Sequence, residues 1–180
     1  IKQVVQTAAV LGREFELLKF RSMHLDAEQG GPLWASRQGD ARVTRAGAVM
    51  RRFRIDELPQ LVNVIRGEMS IVGPRPERPE FVSMLNQNLP LYDYRHCMRP
   101  GLAGWAQLNF PYGASVEDAN EKLKYDLFYI KNTGILFDLV ILMQTLEVVI
   151  WGRGTSMAGP KAGAGDDGRP ADSDRMDAAA

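Results

Sequence analysis

Cysteine and histidine are scarce in this chain of 180 residues: Cys97, His24 and His96 are the whole supply. One cysteine excludes an internal disulfide and fits a reducing compartment. The two histidines have no metal-ligand spacing, and His96, adjacent to Cys97 in sequence, is not placed as its catalytic partner. Zinc and thiol chemistry therefore lack an anchor. No GxxxxGK[ST] phosphate loop and no recognisable serine–histidine–aspartate arrangement occurs. A bilayer-spanning helix needs about 20 consecutive apolar residues. The nearest stretch, "TGILFDLVILMQTLEVVIW" at 133–151, is broken by Asp138 and Glu147. The opening "IKQVVQTAAVL" is too short to span and has no signal-peptide arrangement.

What is present is the composition of a globular domain, 45% hydrophobic and 24% charged, in a chain long enough for one core. The net charge of zero hides an asymmetry. Residues 1–110 carry 15 Lys+Arg against 11 Asp+Glu (+4), and residues 111–180 carry 7 against 11 (−4). A mild local excess suits a small anionic ligand, whereas a nucleic-acid track needs a denser basic stripe. Aromatics do not interleave with the arginines as base stacking requires, so no nucleic-acid partner is expected. The first residue is Ile1 and not Met, from which we expect an upstream part outside this sequence.

"EFELLKFRSM" at 14–23 alternates and predicts a strand. Residues 26–45 are polar and glycine-rich, an expected mobile excursion. "AGAVMRRF" predicts a short helix. Another is expected from Asp56 as N-cap, with Pro59 in its first turn and Gly67 as its stop. Leu58, Leu61, Val62 and Ile65 fall at i, i+3, i+4 and i+7, a stripe expected to face a core. "MSIVGPRPERPEF" reads as a strand, a proline-stiffened loop and a helix around 77–88. "SVED" at 115–118 has the form of a capping box before a further helix. The 133–151 segment is apolar around most of its circumference, so it is either buried or lies in a membrane interface, and Trp151 and Arg153 favour the interface. From about residue 154 we expect a disordered tail.

The chemistry concentrates in "RIDELPQLVNVIRGEMSIVGPRP" at 54–76. Asp56 and Glu57 stand side by side, with Arg51, Arg52 and Arg54 before them and Arg75 and Arg78 after. An acidic pair at a helix start has an ordinary reading, as cap and first-turn residues. It also has a chemical one: aspartate is a known covalent phosphoryl acceptor, and an adjacent carboxylate can hold Mg²⁺ against a diphosphate. "GPRP" supplies a rigid backbone and one guanidinium suited to phosphate. "KFRSM" sets Lys19 and Arg21 two apart on one strand face. "RPGLAGW" sets Arg99 before two glycines that permit close backbone approach to a ligand. Each of these also reads, alone, as a solvated surface or a turn.

Together, "LLKFRSM … RRFRIDELPQLVNVIRGEMSIVGPRPERPEF … RPGLAGWAQLN … YGAS … KLKYDLFYIKN … DLVILMQTL" closely resembles the bacterial sugar transferases, the monotopic phosphoglycosyl transferases, over residues 12–153. The "YGASVEDANEKLKYDLFYIKN" stretch is similar to the exopolysaccharide branch tied to exosortase systems. The resemblance implies a helix-rich α/β (α+β) catalytic domain with a small sheet and interfacial amphipathic helices, at the cytoplasmic face of the bacterial inner membrane. It implies transfer of a sugar-1-phosphate from a nucleotide (UDP) sugar to polyprenyl phosphate, with UMP leaving and a phosphosugar held covalently on aspartate. Carried onto this chain, Asp56 is the nucleophile, Glu57 the Mg²⁺ ligand, and Lys19, Arg21, Arg51, Arg75 and Arg99 bind substrate. Asp126 matches a further family position, with helix packing as its other reading. Residues 1–11 stand where the family carries a re-entrant membrane helix followed by a basic lead-in, and are expected to be a degenerate or truncated N-terminal lead-in. Partners implied are the two substrates, the membrane and other polysaccharide assembly proteins. The alternative is a catalytically idle membrane-surface scaffold.

Overall fold

The computed structural model describes residues 3–10, 13–27, 40–110 and 115–151, with backbone alone for 3–10 and 13. Most of the expected 26–45 excursion and the tail from 154 lie outside the described residues.

Strand β1 (Gln3–Val10) pairs antiparallel with β2 (Arg13–Phe20), from Gln3 opposite Phe20 to Val10 opposite Arg13. The alternation in β2 does what its period requires: Phe15 and Leu17 are buried while Glu14 and Glu16 face out. Helix α1 (Arg45–Arg52) is capped by Thr44, whose hydroxyl accepts from the Gly47 amide at 2.9 Å. A 3₁₀ turn at Ile55–Glu57 and the short α2 (Gln60–Ile65) follow. Strand β3 (Ser70–Val72) then runs parallel to β4 (Gly101–Ala103). Between them lie α3 (Pro79–Asn88) and a 3₁₀ turn at Tyr92–Cys97. After β4 come α4 (Trp105–Asn109), α5 (Val116–Lys131) and α6 (Ile135–Ile150). The result is the helix-rich α+β arrangement expected, with two two-stranded sheets among the described residues.

Helix α5 joins two parts of the core. Its first half packs Ala119 and Leu123 against Leu85, Leu89 and Tyr92. Its second half packs Tyr129 against Val72, Ala103 and Ile141, with Trp105 and Phe137 edge-to-face at 5.2 Å beside them. The Ser115 hydroxyl accepts from the Asp118 amide at 3.1 Å, the cap that "SVED" predicted. A third cluster seats Phe15 and Leu17 on Met69.

Two expectations about 54–66 are corrected. Asp56 is not a helix N-cap: it lies inside the 3₁₀ turn, and α2 begins only at Gln60. The Leu58 amide donates to the Ile55 carbonyl at 3.2 Å, and Pro59 then has no N–H to continue an α-helical ladder. The apolar stripe also faces outward. Leu58, Leu61, Val62 and Ile65 are all exposed, Ile65 to 85%. The buried face of α2 is polar instead. Asn63 is fully buried; its Oδ1 accepts from the Leu18 amide at 3.0 Å, and its Nδ2 donates to the Glu16 carbonyl at 2.7 Å and to Glu68 Oε2 at 2.6 Å. Those bonds outweigh the hydrophobic pattern because breaking them would orphan buried backbone groups of β2.

The glycines of "RPGLAGW" serve backbone-to-backbone contact. A Cβ on Gly101 would lie 2.0 Å from the Gly73 nitrogen and 2.5 Å from the Ala103 carbonyl oxygen. No rotamer relieves a clash with main chain, and overpacking typically costs about 1–3 kcal/mol. Gly101→Ala is therefore expected to lower the unfolding free energy in urea by about 2 kcal/mol or more. A loss below about 0.5 kcal/mol, the scale of an ordinary surface substitution, would show that the two segments are not in contact.

Candidate active site

Asp56 and Glu57 are only 3% and 6% exposed, two adjacent carboxylates withdrawn from water. Arg54, just before their turn, has a left-handed backbone (φ 54°, ψ 21°), uncommon for any residue but glycine. From there its guanidinium reaches Glu57 Oε2 at 3.2 Å. Arg75, from the loop between β3 and α3, reaches Glu57 Oε1 at 2.8 Å. Lys19, at the end of β2, places its Nζ 3.1 Å from Asp56 Oδ2 and 3.5 Å from Glu57 Oε1. Three cations thus face two carboxylates, and the cluster carries one surplus positive charge.

Burial alone would raise the Glu57 carboxyl, but Arg75, Lys19 and Arg54 outweigh it and hold the group well below the usual carboxylate range. The magnitudes agree. Removing an ion from water costs several kcal/mol, while each partner at about 4 Å returns roughly 4 kcal/mol at an effective dielectric of about 20. With three partners, attraction wins. The Glu57 anion in turn raises the Arg75 guanidinium above its ordinary value against the opposing effect of burial. Gln107, in α4, completes the ring: its Oε1 accepts from Arg75 Nη1 at 3.0 Å and from Arg54 Nη1 at 3.5 Å.

Behind this ring a second ion pair fixes the Arg75 loop. Arg95 donates from Nη2 to Asp126 at 2.9 Å and to the Arg75 carbonyl at 2.8 Å, and from Nη1 to the Tyr92 hydroxyl at 2.6 Å. Burial raises the Asp126 carboxyl despite Arg95, and burial pushes the Tyr92 hydroxyl up to about 12. Asp126 therefore sits behind the carboxylate ring, tying α5 to the Arg75 loop.

Of the residues singled out in the sequence, the fold gathers Lys19, Asp56, Glu57 and Arg75. Arg51 donates from Nε to Ser22 Oγ at 2.8 Å. Arg21 lies past the end of β2 and Arg99 is exposed; among the described residues neither forms an ion pair with the two carboxylates. Sequence reasoning missed Arg95 and Gln107 and left Arg54 undistinguished from its neighbours. Proximity flagged Arg54; nothing in "YDYRHC" or "GWAQ" marks the other two, because their partners arrive from elsewhere in the chain.

Glu57 carries a pH signature. Its folded-state carboxyl is held below the ordinary 4.5, so the unfolded chain takes up the proton first as pH falls. The stability from its ion pairs is full above that value and declines below it; Asp126, raised in the fold, acts in the opposite sense. The midpoint of thermal unfolding of the wild type should drop more steeply below pH 4.5 than that of Glu57→Gln. Parallel slopes would mean that Glu57 is not held ionised by its partners.

A family profile described as bacterial sugar transferase matches residues 4–152. The chain is 46% identical over 142 residues to a UDP-N-acetylgalactosamine-undecaprenyl-phosphate N-acetylgalactosaminephosphotransferase of Aeromonas hydrophila, covering 79% of this chain and 33% of that protein. It is 40% identical over 141 residues to a UDP-glucose:undecaprenyl-phosphate glucose-1-phosphate transferase of Caulobacter vibrioides, covering 77% of this chain and 52% of that one. It is 38% identical over 139 residues to an exopolysaccharide production protein of Rhizobium leguminosarum, covering 74% and 70%. The chain thus spans about a third of the first relative and about half of the second. With the profile matched along nearly all its described length, this chain belongs to the bacterial sugar transferase family.

Proposed function

We propose that the Asp56 site moves a sugar-1-phosphate from a UDP-sugar to a polyprenyl phosphate, the undecaprenyl carrier named for its relatives. The observation that carries this reading is the buried Asp56–Glu57 pair within three cations, whose surplus charge awaits an anion. Asp56 is the nucleophile. Its carboxylate oxygen attacks the phosphorus that bears the sugar, the P–O bond to the α-phosphate breaks, and UMP departs with the bridging oxygen. A phosphate oxygen of the polyprenyl phosphate then attacks the same phosphorus. The Asp56 carboxylate is released, and the product is a polyprenyl-diphosphate sugar. In the first step a carboxylate oxygen attacks and a phosphate oxygen leaves, in the second a phosphate oxygen attacks and the carboxylate leaves, and both kinds of group are largely ionised near neutral pH. Neither step needs a proton from the chain, which accounts for a site of carboxylates and cations with no histidine among them.

Lys19 orients Asp56, and Arg54 and Arg75 bind the diphosphate oxygens as guanidinium forks. Mg²⁺ is commonly held by one or two carboxylates plus substrate phosphates. Asp56 and Glu57 offer such a donor set, and no cluster of three or more His, Cys, Asp or Glu side chains that could hold a metal unaided exists among the described residues. Glu57 would hold the ion, sharing its carboxylate with the guanidiniums; when bound, Mg²⁺ offsets charge that builds on the departing nucleotide. The product would start an exopolysaccharide or related glycan, a role supported by the name of the Rhizobium relative.

For location we propose the cytoplasmic-leaflet interface of the bacterial inner membrane. No helix among the described residues is long and apolar enough to cross a bilayer. Yet α2 exposes Leu61 and Ile65, and α6 exposes Leu139 and Met143, with Trp151 exposed just past its end. Exposed apolar helix faces of this kind suit an interfacial position beside a lipid-linked substrate.

With Mg²⁺ present, UDP-sugar radiolabelled in its sugar is expected to leave a covalent adduct on the wild type and none on Asp56→Asn. Equal labelling of both proteins would overturn the nucleophile assignment. For the membrane, burying one large apolar side chain returns about 1.5–3 kcal/mol. Leu61→Glu combined with Ile65→Glu should therefore weaken co-sedimentation with anionic lipid vesicles by about tenfold or more. Unchanged sedimentation would remove α2 from the contact.

A further inference from the structure

Gln107 is a neutral side chain set among charges, and its two ends are treated unequally. The carboxamide oxygen accepts from both Arg75 and Arg54, at 3.0 and 3.5 Å. The carboxamide nitrogen is buried and has no hydrogen-bond partner among the described residues. Turning the amide over would aim its N–H donors at two guanidiniums that are donors only, so the arginines dictate its orientation. A buried donor left unpaired costs stability. Folding alone does not account for that choice, since a glutamate would hold both arginines more strongly.

The charge count gives a reason. Lys19, Arg54 and Arg75 exceed Asp56 and Glu57 by one. A third carboxylate at 107 would bring the cluster to neutrality and remove the surplus that draws an anion. Arg54 and Arg75 repel each other and come from separate segments, so they need a common acceptor to stay paired. Glu57 is one, at 3.2 and 2.8 Å, but the phosphate oxygens of a bound substrate compete with it for the same N–H groups. Gln107 is the other, and it holds the pair without cancelling its charge. Its place follows from the parallel β3–β4 pairing, which carries α4 over the Arg75 loop.

We propose that Gln107 is a positioning residue whose carboxamide oxygen holds Arg54 and Arg75 side by side as a double fork for the two phosphates of the nucleotide sugar. The inference rests on the diphosphate reading above, and the two are separable by titration calorimetry with UDP and with inorganic pyrophosphate. The proteins compared are the wild type, Gln107→Met, Gln107→Asn, Arg75→Ala, and the combination of Arg75→Ala with Gln107→Met, each with its ligand-free melting temperature. Gln107→Met, of similar length but with no strong acceptor, should weaken both ligands about tenfold. Gln107→Asn, one methylene shorter, should fall between and serves if the Met variant does not fold. In the Arg75→Ala background the Met substitution should cost less than about twofold, because only the 3.5 Å bond to Arg54 remains and there is no longer a pair to hold together.

Unchanged affinity in a folded Gln107→Met, whatever its melting temperature, would reduce the residue to packing and overturn the inference while leaving the diphosphate reading intact. An equal loss in the Arg75→Ala background would overturn it too, since Gln107 would then be touching the ligand itself. Failure of the wild type to bind either ligand would bring down both readings together.

Discussion

Keeping two neighbouring carboxylates out of water is the demand around which this protein is arranged. Neither Asp56 nor Glu57 is tolerable there alone, since each desolvated anion costs several kcal/mol before its partners are counted. The compensation comes from three places in the chain: a strand end, the residue that opens the 3₁₀ turn, and a proline-stiffened loop. A net attraction survives because the cations outnumber the anions. The same excess suits the cluster to the proposed reaction, as a carboxylate fully saturated by partners would be stable and inert. Among the described residues Asp56 has only the Lys19 ion pair while Glu57 collects three. The pair is thereby divided into a lightly engaged residue, the nucleophile of the proposed reaction, and a residue that gathers the cations.

That division depends on rigidity supplied from behind. Asn63 ties α2 to β2 through buried backbone groups and so fixes Lys19 against the turn that bears Asp56. Gly73 and Gly101 let β3 and β4 approach closely enough to hold the start of the Arg75 loop. Arg95, buried against Asp126, grips the main chain at Arg75 itself. The first device immobilises the strand that bears Lys19 and the other two the loop that bears Arg75, and none touches the carboxylates. Removing one partner of a buried pair such as Arg95–Asp126 typically costs about 3–5 kcal/mol, so the scaffold is stiff where the proposed chemistry would need it.

The sequence displays part of this openly. Alternation predicts β2, "SVED" predicts the start of α5, and Gly67 stands at the end of α2 with φ 75° as a helix stop requires. The Asp-Glu pair with Lys19 and Arg75 was also visible, through the resemblance more than through spacing. What stayed hidden was tertiary. Periodicity records that Leu58, Leu61, Val62 and Ile65 share a face but cannot say whether protein or another apolar phase lies against it. The cap expectation for Asp56 failed because one left-handed residue and one proline reset the local geometry. Gln107 and Arg95 escaped notice because a neutral amide and an arginine in a turn take their meaning from distant partners.

Arg54 shows how narrow such a solution is. Its position asks for a backbone shape that glycine adopts freely, and for a planar, permanently charged fork that glycine lacks. Asparagine tolerates the shape but brings no charge, and lysine brings charge without the fork. Arginine meets the second requirement and bears the backbone cost of the first, so a substitution here either loses the fork or keeps the strain. The strain stored in one residue's backbone becomes a restriction on the sequences that can carry the site at all.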